Sequence, residues 1–509
     1  MSDRPSPSGD FAASWRRTLL VAAVALLARL LVVLLVPAEP VWDGYYYDLG
    51  ARRMAAGLGY SEDLHLGTPT GEERTAWLAW AHYPVGYPGL LSLVYRLVGH
   101  GTWVAPLVNV LIGVLLAVVA HRLARALFDD ERRATAAGLL VALHPGLVLY
   151  AGALMTEPLA ALLLLSAVLA ARRGTNVFIG PVLAGALLGL ATLVRPNALL
   201  FAPFVALCVH DGVLRRANES VTRALGRFVV RGAIVSALAL AVVAPWTLRN
   251  CRVMDACTLV STNAGWNLVI GAAPGATGKF EFLVGHTPEG GPTCDEGGQV
   301  AQDRCWFRYG ARLIQAHPGK WLSLVPAKLH YTLDAEWFPI NYLREARPDL
   351  VSAGAHVVVG KLLTGFNHLL VALAALAALG GVTRGEDLRG RRVQLALLVM
   401  HAVLLGLSVD VATPRVWPLG IAACLLPLLP RLPGAPRRDP AEWAVAGAIL
   451  TTLLTHAIFF GEDRYHLVAT PAFALLAAGI ARRGGATRGE ATRGGATRGG
   501  ATRGATSDR

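Results

Sequence analysis

Apolar runs long enough to cross a bilayer recur along the whole chain, and they constrain its fold more than any other feature. About 12 such stretches can be marked. Their rough limits are 17–37, 103–121, 134–153, 157–171, 177–194, 198–213, 228–248, 362–380, 393–410, 416–430, 441–460 and 465–481. In lipid, every backbone N–H and C=O must find its partner inside the protein, which makes each run a helix. The composition agrees. At 54% hydrophobic and 16% charged, with a mean hydropathy of +0.47, a soluble fold could not bury so much apolar side chain. The expected class is an all-α polytopic membrane protein with about 11 to 13 transmembrane helices.

Charge then orders these helices. The formal net charge is +13, and all but four of the 47 basic residues are Arg. Such basicity can signal nucleic-acid binding, but its placement follows the membrane instead. Arg-rich loops contain Arg122, Arg125, Arg132 and Arg133, then Arg172 and Arg173, then Arg215, Arg216, Arg223 and Arg227. Arg384 to Arg392, Arg431 to Arg438, and Arg482 with Arg483 complete the set. They alternate with the nearly Arg-free loops 154–156, 195–197, 411–415 and 461–464. The positive-inside rule places the first set in the cytoplasm, both termini with it, and the second set outside. Two long segments, 38–100 and 249–361, fall outside. Arg16 and Arg17 precede an apolar run longer than a signal-peptide core, which reads as an uncleaved anchor.

The expected organisation is a cytoplasmic tail 1–16, a transmembrane domain 17–481 and a tail 482–509. Within the transmembrane domain, 38–100 carries interfacial helices and 249–361 forms a larger, mixed external loop domain. The final tail repeats Ala-Thr-Arg-Gly and reads as disordered and cationic against anionic lipid. Cys208 and Cys424 fall within apolar runs, whereas Cys251, Cys257, Cys294 and Cys305 fall in the second outer segment. An oxidising compartment permits disulfides there. Four cysteines allow three pairings, of which Cys251–Cys257 with Cys294–Cys305 is favoured. No Cys or His pair has zinc spacing, and no acidic set has the spacing of a dedicated cation loop. No cofactor is required by the sequence, and a divalent metal on outer carboxylates stays open.

The topology gathers most ionisable groups on the outer face. Asp43, Asp48, His82, Glu157, Arg195, Arg249, Lys279, Lys320, Lys328, Asp410, Arg415, Glu462, Asp463, Arg464 and His466 all fall there. A charge near membrane depth costs about 2.5–3.5 kcal/mol, so its retention asks for a purpose. Structural roles are available for several. Asp43 before 44–56 suits an N-cap, and Glu157 before Pro158 suits a first-turn acid. Arg195 and Arg249 at span ends suit snorkelling anchors, and Glu462 to His466 suits a local salt bridge. Tyr83-Pro84-Val85-Gly86-Tyr87-Pro88 reads as an architectural bend.

One carboxylate with several cations fits sugar transfer from a polyprenyl phosphate. The phosphate leaving group needs positive charge, and the acceptor hydroxyl needs one base. Several motifs resemble the polytopic C-type (GT-C) glycosyltransferases that use lipid-linked sugars, in particular the bacterial protein-O-mannosyltransferase-like and lipid A aminoarabinose transferase group. These are Trp42-Asp43-Gly44 with Tyr47 and Tyr87-Pro88-Gly89, Thr156-Glu157-Pro158-Leu159, and Arg195-Pro196-Asn197. Pro245-Trp246-Thr247-Leu248-Arg249-Asn250, Ser261-Thr262-Asn263-Ala264-Gly265-Trp266-Asn267 and Arg464-Tyr465-His466 complete the likeness.

The resemblance implies an inverting transferase in a bacterial inner membrane, working on the periplasmic face with Asp43 as acceptor base. Arg249, Arg464 and Lys328 are expected to hold the donor phosphate, and Tyr47, His82, Glu157, Arg195 and His466 to line the substrate cleft. The family's second acidic motif maps onto Glu157 rather than onto Asp129-Asp130, which the topology places inside. The implied partners are a polyprenyl-phosphate-linked sugar, membrane lipids and an acceptor lipid, glycan or protein, with no nucleic acid. The rival classes are a transporter or lipid flippase, which inverted repeats and mid-span charges would favour, and a non-catalytic scaffold.

Overall fold

The structure, a computed structural model, describes residues 7–67, 73–173, 179–209, 220–282, 293–294, 297–382, 417–428 and 440–480. The expected span 393–410, Asp410, Arg415 and the tail 482–509 lie outside the described residues. Helix α1 (Pro7–Leu35) is followed by α2 (Asp43–Ala55), strands β1 (Ser61–Gly67) and β2 (Glu73–Ala79), and α3 (Gly86–Val98). Then come α4 (Val104–Phe128), α5 (Glu131–Leu143), α6 (Pro145–Leu149), α7 (Glu157–Arg173) and α8 (Ile179–Val194). A 3-10 turn (Pro196–Phe201) leads through α9 (Ala202–Cys208) to α10 (Val221–Val253). The long segment 249–361 contributes α11 (Ala264–Ile270), α12 (Gln299–Ala316), α13 (Pro318–Ser323), α14 (Val325–Leu333) and α15 (Phe338–Ala346). The chain returns through α16 (Ala353–Val382), α17 (Trp417–Cys424) and α18 (Pro440–Ile458), then a 3-10 turn (Tyr465–Val468) and α19 (Thr470–Ala477).

Among the described residues five helices are long and apolar enough to span a membrane: Ser14–Leu35, Val104–Phe128, Val221–Val253, Ala353–Leu379 and Ala441–Ile458. The chain is a multi-pass membrane protein. Helix α1 shows how such a helix is built: Val21, Ala25 and Arg29 are buried in one stripe, while Leu20, Leu27, Leu31 and Leu34 are exposed on the other side. Apolar residues on the exposed side suit lipid rather than water.

Two features depart from a simple reading of the runs. The run 134–153 is not one helix: α5 stops at Leu143 and α6 starts at Pro145. Pro145 has no N–H, so the Val141 carbonyl loses its helical donor. Arg29 supplies the replacement across the bundle, donating to Val141 O at 3.3 Å and to Ala142 O at 2.9 Å. Gly113 of α4 makes room for it, since a Cβ there would lie 2.0 Å from Arg29 Nε. The segment 38–100 also holds an antiparallel hairpin, in register Ser61↔Ala79, between α2 and α3.

Helices pack closely where side chains are small. Gly185 and Gly189 of α8 meet α10, and a Cβ on Gly189 would come within 2.6 Å of Ala239 O. Without a hydrophobic drive between helices in lipid, such close backbone approach is what generates contact. In the segment 249–361 Cys251–Cys257 closes the end of α10 and Cys294–Cys305 ties the loop to α12.

Candidate functional site

Asp43 opens α2, and a small device aims it. Trp42 sits in the left-handed region at φ 51°, and its ring is fixed against Phe338 and Tyr342 of α15, at 5.5 and 5.8 Å between centroids. The Tyr342 hydroxyl accepts from Val41 N at 3.1 Å and from Leu154 N at 3.4 Å, joining the start of α2 to the loop before α7. Gly44 permits that approach, because a Cβ would stand 2.2 Å from the hydroxyl. The carboxylate therefore points away from its own helix. Tyr83 Oη donates to Oδ1 at 2.7 Å, and Arg464 Nη1 donates to Oδ2 at 2.5 Å. Tyr83 is held in turn by the rings of Tyr46, Tyr47, Trp80 and His82, at 4.9 to 5.7 Å.

The second half of the site is the turn 461–464 between α18 and α19. Arg464 Nε also faces Glu462 Oε2 at 2.5 Å, and its guanidinium lies over the Phe338 and Tyr465 rings, each at 5.0 Å. Asp463 points the other way and caps α15, accepting from Phe338 N at 2.9 Å and from Trp337 N. These groups perturb one another. Burial would raise Asp43, but Arg464 and the Tyr83 hydroxyl outweigh it and hold the carboxyl below the ordinary aspartate range. Burial pushes Glu462 up to about 7 despite Arg464, with the negative neighbours Asp463, Asp43 and Glu157 adding to the effect. Burial also raises Asp463. Arg464, for which the surrounding acids outweigh burial, stays charged.

Behind this turn Glu157, 1% exposed at the start of α7, accepts from Arg195 Nη1 at 2.8 Å; its Oε2 finds no hydrogen bond. Arg195 also donates to Thr156 Oγ1 at 3.1 Å and lies over the Tyr465 ring at 5.2 Å, so Tyr465 lies against both guanidinium groups. His466 Nδ1 meets Thr332 O at 2.8 Å, and its Nε2 is 3.6 Å from Glu336, whose other oxygen is 3.7 Å from His144. All three side chains are fully buried.

The remaining expected residues divide. Tyr47 is buried edge-on to Tyr83 and Tyr87, and burial holds its phenol neutral. His82 stacks on Trp80, and burial pulls its imidazole down against the nearby Asp43. Arg249 spends its hydrogen bonds on Trp80 O at 3.0 Å, Tyr60 O at 2.5 Å and Asn250 Oδ1 at 3.0 Å. It thereby fixes the strand exit that leads to His82 and Tyr83. Lys328, fully buried and pulled by burial to about 8, donates to Ile458 O at 3.1 Å and Ala457 O at 3.4 Å, closing the end of α18. Among the described residues no group of three or more His, Cys, Asp or Glu is arranged to hold a metal ion.

Tyr83 and Phe338 are the parts that sequence reasoning did not bring to the site; Glu462 and Asp463 read in sequence as part of a local salt bridge, and Glu462 does pair with Arg464. Tyr83 hid inside a proline-rich bend. Its one signal was an amphipathic ring at the same membrane exit as Asp43.

Known proteins now bear on this arrangement. Residues 82–248 match the family model of the dolichyl-phosphate-mannose-protein mannosyltransferases. Over this segment the expected C-type glycosyltransferase kinship is borne out. The segment includes His82, Tyr83, Glu157 and Arg195 of the site. No curated protein matches the chain. Among solved structures it is similar to the Archaeoglobus fulgidus oligosaccharyltransferase tethered to an acceptor peptide: 15% identity, TM-score 0.43, 91% of this chain and 49% of that one. It is similar also to AglB from the same organism with an inhibitory peptide and a dolichol-phosphate: 16% identity, TM-score 0.40, covering 91% and 50%. A third is ArnT from Cupriavidus metallidurans bound to undecaprenyl phosphate: 17% identity, TM-score 0.33, covering 88% and 77%. The chain spans about half the length of the archaeal chains it resembles.

Proposed function

We propose that the protein is an inverting membrane glycosyltransferase, which moves a sugar from a polyprenyl-phosphate donor to an acceptor hydroxyl at the periplasmic face of a bacterial inner membrane. The observation that carries this reading is the placement of Asp43 against Arg464, a base and a phosphate-sized cation at one membrane exit. The family match over 82–248 supports it. Asp43 takes the acceptor proton as the acceptor oxygen attacks the anomeric carbon. The bond from that carbon to the phosphate oxygen breaks on the opposite side, which inverts the centre. Arg464 receives the charge that collects on the leaving phosphate, where a prearranged cation shielded from water is most effective. Tyr47, His82 and the Glu157–Arg195 pair form the wall of the cleft. Arg249 and Lys328, directed at backbone carbonyls, serve by holding that wall in place.

A test is sugar transfer from a polyprenyl-phosphate donor by the purified protein. Asp43→Asn keeps the size of the side chain and removes the base, so the rate of the folded variant is expected to fall about 10²–10⁴-fold. Full activity in that variant would remove Asp43 from the role.

A further inference from the structure

We infer that the donor phosphate is received at Arg464 together with one proton, which Glu462 takes up from water. The inference rests on the donor reading given above. It starts from a count of charges around one guanidinium. Arg464 already faces two carboxylates at 2.5 Å, Asp43 through Nη1 and Glu462 through Nε. The Phe338 and Tyr465 rings cover it, and its side chain is only 13% exposed. A phosphate arriving here would be a third anion on one cation, in a place where water screens little. Charge repulsion of that kind is relieved by protonating the acid that is held least well.

The groups facing Glu462 decide which acid that is. Asp43 of α2 has a second donor in Tyr83, at 2.7 Å. Glu157 of α7 has Arg195 at 2.8 Å. Asp463, next in the turn, accepts from two backbone N–H groups of α15. Glu462 has Arg464, and its Oε2 faces that group without a well-directed hydrogen bond. Burial also pushes its carboxyl up to about 7, within reach of a proton near neutrality. Once neutral, Glu462 releases Arg464 Nε to the phosphate and offers its own O–H to a phosphate oxygen. Asp43 keeps Tyr83 and remains ionised as the base.

The experiment measures protons bound per lipid bound. The probe is the methyl diester of undecaprenyl phosphate, whose single acid is ionised throughout, so any proton taken up belongs to the protein. Calorimetric titration of the full chain in nanodiscs, at about pH 8 in two buffers of different ionisation heat, is expected to show uptake on the order of one proton. Affinity is expected to fall, by up to about tenfold per pH unit, as pH rises above neutrality. Glu462→Gln is expected to abolish the uptake and flatten the pH dependence. Should that variant fail to fold, Glu462→Asp takes its place and must shift the pH of half-maximal uptake downward. Binding without proton uptake in the wild type would overturn the inference. So would uptake unchanged in the variant, or binding that requires a divalent cation instead of a proton. Failure of the wild type to bind the probe at all would overturn the donor reading itself.

Discussion

Tyr83 separates the two jobs of a catalytic carboxylate, orientation and basicity. Its hydroxyl donates to the charged form of Asp43 and so helps to hold the carboxyl low. In Tyr83→Phe that hydrogen bond is gone while the ring still packs among its aromatic neighbours. The Asp43 pKa must then rise, and the acid limb of the pH profile for sugar transfer is expected to move to higher pH. The sign follows from linkage: a group lowered by a donor is raised when the donor is removed. Loss of one neutral hydrogen bond is worth about 0.5–1.5 kcal/mol, so the rate at neutral pH is expected to drop by no more than about tenfold. A limb that stays put would show that Tyr83 does not touch the ionised base. Asp43 itself was legible as a candidate, because a carboxylate at a membrane exit among aromatics is costly to keep. The competing N-cap reading fails on geometry: its two hydrogen bonds run to Tyr83 and Arg464, 40 and 421 residues away in sequence, and not to the backbone of α2.

At the level of elements, the α5–α6 break is the feature that the apolar run concealed. Hydropathy alone reads 134–153 as continuous, because Pro145 lies among apolar neighbours. The lost donor at Val141 is made good only by Arg29, which is more than 100 residues away in sequence. Arg29→Leu keeps the helix apolar but leaves those carbonyls unsatisfied in the bundle. A cost of about 1–3 kcal/mol is expected, read as a lower unfolding temperature in detergent with helical content retained below it. An unchanged unfolding temperature would mean that water or a neighbour replaces the guanidinium. The α8–α10 contact was no more visible, because Gly185 and Gly189 signal close packing but not the partner helix.

For the whole molecule, the alternation of Arg-rich and Arg-poor loops predicts which ends of the helices share a compartment. The structure brings residues from four separate segments into one site: Asp43 and Tyr83, Glu157, Arg195 and Arg464. That convergence agrees with the sidedness read from charge. The direct check is labelling with a membrane-impermeant maleimide. A cysteine introduced by Glu345→Cys, on the exposed end of α15, is expected to react in intact spheroplasts. One introduced by Arg132→Cys, at the exposed start of α5, is expected to react only after lysis. The opposite pattern would turn the whole protein over and place the Asp43 face in the cytoplasm. The native thiols give little background, as Cys208 and Cys424 are buried and the other four cysteines are paired.

Helicity and membrane insertion were determined by the sequence alone, and the alternating loop charges raised the expectation that the ionisable groups share one face. The reason is that lipid imposes its terms locally: each run must satisfy its own backbone, and each loop carries its own charge. Which partner each ionisable group finds was decided only by the tertiary structure. Arg249, Lys328 and Arg464 look equivalent in the sequence, since each is a cation at the outer ends of helices. Folding directs Arg249 and Lys328 to backbone carbonyls and leaves Arg464 between two carboxylates. Glu462, two positions from Arg464, was legible as a local partner, but Asp43 lies 421 positions away, and no local pattern in a chain encodes a distance of a few ångströms between such residues.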